Sequence, residues 1–490
     1  MSAGGAVGGA VGTARQATKL VLLTLAAGQF LMTLDSSVMN VSIATVAKDV
    51  GTTVTGIQMA ITLYTLVMAM LMVTGGKVGS MIGRRRAFAI GCVIYGMGSL
   101  TTALAPNLPV LILGWSVLEG IGAALILPAI VALVAGNFPP EGRPRAYGLV
   151  MGAGAVAVAV GPLIGGAATT YVSWRWVFAG EVVLVLGILA LARRVNDAPP
   201  EGRVRLDVVG AVLVAVGLGL AVFGVLRSAE WGWVMPKPGG PSVLGVSPTV
   251  WLVIGGLLVV WVFLEWETRL ESNGREPLVP PSIFGNGQMT GGLLMFFVEY
   301  LVQAGLFFTI PLFLSVSLGL SALETGVRIL PLSITLLAGL GIGALASQLG
   351  AVTVSAVPDE LSPEVGGLQN TATNLGAAVG TALAGSILIA SLTAAFLQGV
   401  QDNPSIPQQV KSRASVQLAG GVPFLSDADL RAALNDAGVS AEVTTAALDV
   451  NSDARVAGLR TALAVLALIA LLGLFSARRI PSRQPQTSPG

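Results

Sequence analysis

The chain has no histidine and a single cysteine, Cys92, set in an apolar run. The first absence excludes an imidazole proton relay and every metal site that needs a histidine ligand. The second excludes an intramolecular disulfide and points to a buried, inert thiol. Charge is scarce as well. Only 11% of residues are Asp, Glu, Lys or Arg, against about 25% in an ordinary soluble domain. So few charges cannot cover a water-facing surface, and lipid must be the solvent. What fills the chain instead is apolar and small: 54% hydrophobic residues, a mean hydropathy of +0.81 and 63 glycines. Glycine at that level suits closely packed membrane helices. The net charge of +2 gives no footprint for nucleic acid. Several Gly-x-Gly strings occur, but none sits in a strand–helix unit, so nucleotide binding is not indicated. No hydrolytic triad or metal cluster is visible in the linear order. The expectation is a non-enzyme without cofactor or metal.

Apolar runs long enough to cross a bilayer fall at 19–44, 54–75, 87–106, 108–135, 146–171, 177–192, 208–226, 249–266, 287–316, 327–356, 364–396 and 457–477. The cations then set the orientation. With the N-terminus inside, seventeen of the 27 Lys and Arg residues fall on the cytoplasmic side, including Arg84, Arg85, Arg86, Arg143, Arg145, Arg193, Arg194, Arg203, Arg205, Arg478 and Arg479. Of the outer ten, Lys411, Arg413, Arg431 and Arg455 share one long loop, 398–455. That bias places both termini in the cytoplasm. Residues 1–16 are Gly/Ala-rich and lack the basic start and cleavage site of a signal peptide, so they are expected to be a disordered tail. The outer loop reads as an exported spacer, with Ser426 ahead of Asp427-Ala428-Asp429-Leu430 as the cap of a short surface helix.

Residues 76–86 read Gly76-Lys77-Val78-Gly79-Ser80-Met81-Ile82-Gly83-Arg84-Arg85-Arg86, between two apolar arms. Glycines let the helix ends approach and the cations hold the turn in the cytoplasm. This loop resembles motif A of the major facilitator superfamily. Further matches follow in order. Leu34-Asp35-Ser36-Ser37-Val38-Met39-Asn40-Val41 resembles the first-helix motif of its 14-span drug:proton antiporter branch, the multidrug efflux transporters, and Gln58 and Tyr64 sit where that branch keeps Gln and Tyr. Gly120-Ile121-Gly122-Ala123-Ala124 with Pro128 resembles the fourth-helix motif. Gly152-Ala153-Gly154 with Gly161-Pro162-Leu163-Ile164-Gly165-Gly166 resembles the antiporter motif of helix five, and Ser173-Trp174-Arg175-Trp176-Val177-Phe178 the signature before helix six. The resemblance implies an all-α polytopic membrane protein with two helical bundles and two linker helices. About 12 spans are read rather than 14, because 327–356 looks like half of the family's tenth helix joined to half of its twelfth. The expected organisation is a cytoplasmic tail at 1–17, a six-helix bundle at 18–194 and a linker with two extra helices at 195–284. A shortened C-terminal bundle at 285–477 and a tail at 478–490 follow.

Ionisable residues inside spans are costly and usually functional. Asp35, Glu119, Glu181 and Glu299 are the candidates for proton coupling, since no histidine is present; the bland alternative for each is a structural hydrogen bond. Glu181 is placed near the outer headgroups and read as partly wet. The substrate cavity is expected to involve Asn40, Gln58, Tyr64, Ser116, Phe296, Tyr300, Gln303, Gln369, Asn370 and Asn374. The aromatic residues could equally face lipid or core. Gating is expected at Gly76, Lys77, Gly83, Arg84, Arg85 and Arg86, and at Gly161, Pro162, Gly165 and Gly166, where proline removes a helix donor and glycines permit close contact. Trp174 and Trp176 with Arg175 read as an interfacial belt.

Two departures from the family pattern bear on mechanism. Ser116 and Glu119 stand where relatives carry an Arg and a Gln in helix four, so the embedded cation is gone and an acid stands one turn away. Ser80 replaces the acid that latches motif A, so the latch is weaker or remade by another acid. The resemblance implies proton-coupled antiport, exporting hydrophobic or cationic drug-like compounds by alternating access. It implies a monomer in the cell membrane whose partners are small molecules, protons and lipid. The shortened C-terminal half leaves a rival class open, a transport-impaired or regulatory membrane paralogue.

Overall fold

The computed structural model describes residues 4–139, 142–197, 206–237, 240–337, 362–417 and 424–475. Apart from one isolated bridge between Val243 and Val246, regular structure among these residues is helical. That follows from the solvent: inside lipid each backbone N–H and C=O must be paired within its own segment. The helices are α1 (Gly4–Asp49), α2 (Val54–Ile82), α3 (Arg84–Ala103), α4 (Leu108–Asn137), α5 (Arg143–Tyr171), α6 (Arg175–Ala192), α7 (Val208–Trp231), α8 (Pro248–Ser272), α9 (Gly287–Ser317), α10 (Ala322–Leu337), α11 (Ser362–Asp402), α12 (Gln408–Gln417), α13 (Asp427–Asp436) and α14 (Ala441–Leu474). Side chains mark the starts. Thr53 accepts from Gly56 N, Asn107 from Val110 N, Asp207 from Gly210 N, and Asn286 from both Gln288 N and Met289 N. Each satisfies amides that a helix start leaves open.

Ten described helices are long and apolar enough to cross a membrane: α1, α2, α4 to α9, α11 and α14. The 20-residue α3, which carries three arginines in its first turn, and α10 fill the places of the remaining expected spans. The expected junction inside 327–356 falls mainly on 338–361, outside the described residues, as do Arg203, Arg205 and the tail 478–490.

Two expectations are corrected. The N-terminal stretch is helical from Gly4 rather than a free tail; once α1 is nucleated in the membrane, each added residue gains a backbone bond. The outer loop is not a spacer. α11 is 41 residues long and α14 is 34, which at 1.5 Å per residue far exceeds a hydrocarbon core of about 30 Å. Their ends nearest residues 398–455 run past the apolar stretch and, with α12 and α13, form a cap. Arg455, 1% exposed, locks it by donating to Asp427 Oδ1 at 2.7 Å and to the Leu425 carbonyl at 3.0 Å. Ile406 and Phe424 are buried beneath it. Ser426 caps α13 as expected, accepting from Asp429 N at 3.1 Å.

The two halves meet along two seams. Gln58 of α2 donates to the carbonyls of Thr381 and Ala382 in α11, at 3.1 and 3.3 Å. A β-carbon at Gly385 would run into the Gln58 amide, and one at Gly166 of α5 would lie 2.6 Å from the Ala322 carbonyl of α10. The linker helix α7 packs against both α2 and α11, and Ser386 donates to Val225 O at 3.3 Å.

Candidate functional site

Asp35 of α1, Glu119 of α4 and Glu181 of α6 converge inside the N-terminal half, each with a carboxylate oxygen within 4.8 Å of the others. All three are buried, at 0, 0 and 1% exposure. Glu181 is therefore not wet. It lies more than one turn into α6 on the side facing α3, where Ser99 donates to its Oε2 at 3.1 Å. The indole N–H of Trp115 is shared between Asp35 Oδ1 and Oδ2, at 2.8 and 2.9 Å. Thr102 reaches Glu119 Oε1 at 3.1 Å. Tyr64 stacks on Trp115, with ring centroids 5.1 Å apart and planes 8° from parallel.

The local backbone of α4 makes this possible. Residues Ile112–Glu119 form a π-helical segment, a rare local widening that often marks functional sites. It carries both Trp115 and Glu119. The neighbouring α3 approaches closely because Gly98 and Gly114 have no side chains: a β-carbon at Gly98 would lie 2.5 Å from Glu119 Cγ, and one at Gly114 2.7 Å from Thr102 Oγ1.

The fourth acid, Glu299, stands apart from this cluster, half-buried on α9. Several expected cavity residues are occupied with other helices. Gln58 is bound to α11, Tyr64 is stacked, and Ser116 donates to the Ala60 carbonyl of α2 at 2.8 Å. Asn40, Asn370 and Asn374 donate to carbonyls of their own helices, at Ser36, Gly366 and Asn370. Phe296 is buried, while Tyr300 and Gln303 are half-buried on the same side of α9. Gln369 is half-buried near the cytoplasmic start of α11. Trp115, Tyr95, Ser99 and Thr102 are cluster residues that linear patterning missed. The pairing of Trp115 with Glu119 four residues on was the one available signal.

At the cytoplasmic turn, Gly83 has φ +100° and a β-carbon there would lie 2.8 Å from Asp197 Oδ2. Asp197, which follows α6, accepts from Arg85 N at 3.0 Å, and Arg85 donates to Val195 O at 3.2 Å. An acid from another element thus caps the start of α3. Lys77 pairs with Glu276 beyond α8 at 3.6 Å, which ties the turn to the linker. Gly76 opposes Pro128 of α4. Replacing Asp197 by Ala should cost about 1 kcal/mol, the usual worth of a helix cap, read as a lower midpoint in thermal unfolding of the purified protein. Gly161 and Gly165 let α5 meet α1 at Ser37 and Val38, while Gly326 of α10 faces the Pro162 carbonyl. Trp174 is a correction: it is buried and donates to Asp49 Oδ2 at 2.9 Å, with Arg175 over its ring. The neighbouring Trp176 is exposed, as a belt residue should be.

A chain of membrane-crossing helices in two packed halves, with an acid cluster buried in one, defines a polytopic membrane transporter. The model of the Major Facilitator Superfamily matches residues 25–336, and the chain belongs to that family. It is 32% identical over 451 residues to the puromycin resistance protein pur8 of Streptomyces alboniger, covering 90% of this chain and 80% of that one. It is 27% identical to the tetracenomycin C resistance and export protein of Streptomyces glaucescens, covering 76% of each. Among solved structures, a bacterial homologue of the human lysosomal transporter Spinster superposes with a TM-score of 0.49 at 15% identity, covering 96% of this chain and 99% of that one. The protein is thus a multi-pass integral membrane protein of the bacterial cell membrane and a transporter rather than an enzyme.

Proposed function

We propose that this protein is a proton-driven antiporter that exports hydrophobic or cationic drug-like compounds by alternating access. The observation that carries the reading is the buried cluster of Asp35, Glu119 and Glu181 in a chain without histidine. Three carboxylates held away from water cannot all stay ionised, so they take up protons, and losing them changes the charge inside the bundle. Protonation then biases which way the two halves rock about the α2–α11 and α5–α10 seams. Relatives named for puromycin resistance and for tetracenomycin C resistance and export support a drug-like substrate. Phe296, Tyr300 and Gln303 on α9, with Gln369, Asn370 and Asn374 on α11, offer aromatic and amide surface for such a compound. Glu299, one turn from Phe296 and Gln303, supplies an acid for a cationic one. The motif A turn with Asp197, and the small-residue stripe Gly161, Pro162, Gly165 and Gly166, serve as latch and seal.

The test is extrusion of a fluorescent cationic dye from liposomes holding the purified protein. Extrusion should follow an imposed proton gradient and stop when an ionophore collapses it; gradient-independent movement would overturn the coupling. Within that assay, Trp115→Phe keeps the stack on Tyr64 but removes the indole N–H that donates to both Asp35 oxygens. It should slow initial extrusion about tenfold, the worth of one hydrogen bond to a charged group. A wild-type rate would show that this donor is dispensable.

A further inference from the structure

We propose that the end of α7 and the start of α2 form a site for the phosphodiester headgroup of an anionic glycerophospholipid, held by Arg227. A cavity of about 130 Å³ opens between the two helices, with Thr53, Thr55, Gly56, Met59, Arg227 and Glu230 in its walls. Arg227 Cζ lies 5.4 Å from the centroid of the Phe223 ring and 5.5 Å from that of Trp231. The rings fix the guanidinium in place without using its N–H donors. Of those donors Nη1 meets Glu230, while Nε is buried with no hydrogen-bond partner. A planar fork of N–H groups matches the oxygens of a phosphate, and arginine is the side chain that supplies it.

Charge and position select the ligand. Glu230 pairs with Arg227, and its charge also reaches Lys237. Lys237 is held against the helix end by donating to the Ala229 carbonyl at 2.5 Å. Two cations and one acid leave these three groups a net charge of +1. One phosphodiester neutralises it, whereas a zwitterionic headgroup does not. Most of the apolar length of α7 is left open by the other helices, so lipid reaches its end. The loop that follows is ordered. Lys237 N donates to Trp231 O at 3.1 Å, and Ser247 donates to Gly232 O at 2.7 Å through its hydroxyl and to Val234 O at 2.9 Å through its amide. Yet it leaves Trp233, Val234, Met235 and Leu244 exposed. An ordered loop that shows such an apolar side suits the boundary between headgroups and acyl chains better than open water. The cavity thus opens at the depth where a phosphate lies. It shares no residue with the acid cluster of α1, α4 and α6, and its occupancy is read without any transport assay.

The experiment titrates phosphatidylglycerol, phosphatidylcholine or inorganic phosphate into the purified full-length protein in detergent and counts retained adducts by native mass spectrometry. One phosphatidylglycerol per chain should be held at least about tenfold more tightly than phosphatidylcholine, the worth of one hydrogen bond to a charged group. Arg227→Gln should erase that preference. Glu230→Gln should instead raise phosphatidylglycerol affinity severalfold, because the acid competes for the same fork. The opposite signs separate a lipid site from a plain ion pair, in which neither change would favour phosphatidylglycerol. Equal retention of the two lipids by the wild-type chain overturns the proposal, and so does a preference that survives Arg227→Gln in folded protein. Displacement of the lipid by an equal concentration of inorganic phosphate would make this a site for a free anion and overturns it too. If Arg227→Gln fails to fold, Glu230→Gln decides, and unchanged or weaker binding of phosphatidylglycerol by that variant overturns the proposal.

Discussion

Asp35→Asn protein in liposomes should bind dye yet fail to extrude it along a proton gradient, with the rate falling by at least about a hundredfold. That is the lower end of what a positioned proton-transfer group supplies. Asparagine matches aspartate in shape, so its carbonyl can still accept from Trp115 Nε1, 2.8 Å from Asp35 Oδ1. What it loses is the proton. The fold should survive, because the substitution removes a buried charge rather than a packed volume. Extrusion at the wild-type rate, still driven by the gradient, would remove Asp35 from the coupling and leave Glu119, Glu181 and Glu299. A protein that neither binds dye nor runs as a single species would report misfolding instead, which size-exclusion chromatography separates from loss of coupling.

Gly122→Leu should be among the most destabilising single changes in the chain, costing more than about 4 kcal/mol. A β-carbon there would sit 2.8 Å from the Gly91 carbonyl oxygen, from Tyr95 N and from Tyr95 Cβ. Two of those atoms are backbone of α3, so neither can turn away. The helices must part, and α3 carries Tyr95, Ser99 and Thr102 to the acid cluster. Gly152→Leu is the matched comparison, since nothing lies within 4 Å of its β-position. That position is exposed, and the change should stay within about 0.5 kcal/mol of wild type. Thermal unfolding in detergent measures both, and equal midpoints would refute the packing account.

Much of the fold was legible from composition and periodicity. The apolar runs at 54–75, 108–135 and 208–226 became α2, α4 and α7 with caps at Thr53, Asn107 and Asp207. The loop 398–455 was misjudged because it is polar along its length. Its order comes from Arg455 meeting Asp427 across 28 positions of chain, and no local pattern announces such a pair. Glu181 was misjudged for a related reason. Its distance from the helix end was readable, but the face it shows to Ser99 was not.

The sequence by itself determined the solvent and the family. Each of these rests on sums along the chain or on short contiguous motifs: too few charges to meet water, and the glycines and arginines of 76–86 in one turn. Only the tertiary structure decided which acids meet. Asp35, Glu119 and Glu181 are separated by 84 and 62 positions, and a helical period orders residues only about their own axis. Their convergence depends on how closely α3 approaches α4 over Gly98 and Gly114, and on the π segment that carries Trp115 and Glu119. The same holds for Asp197, which caps α3 because the end of α6 comes back beside the start of α3.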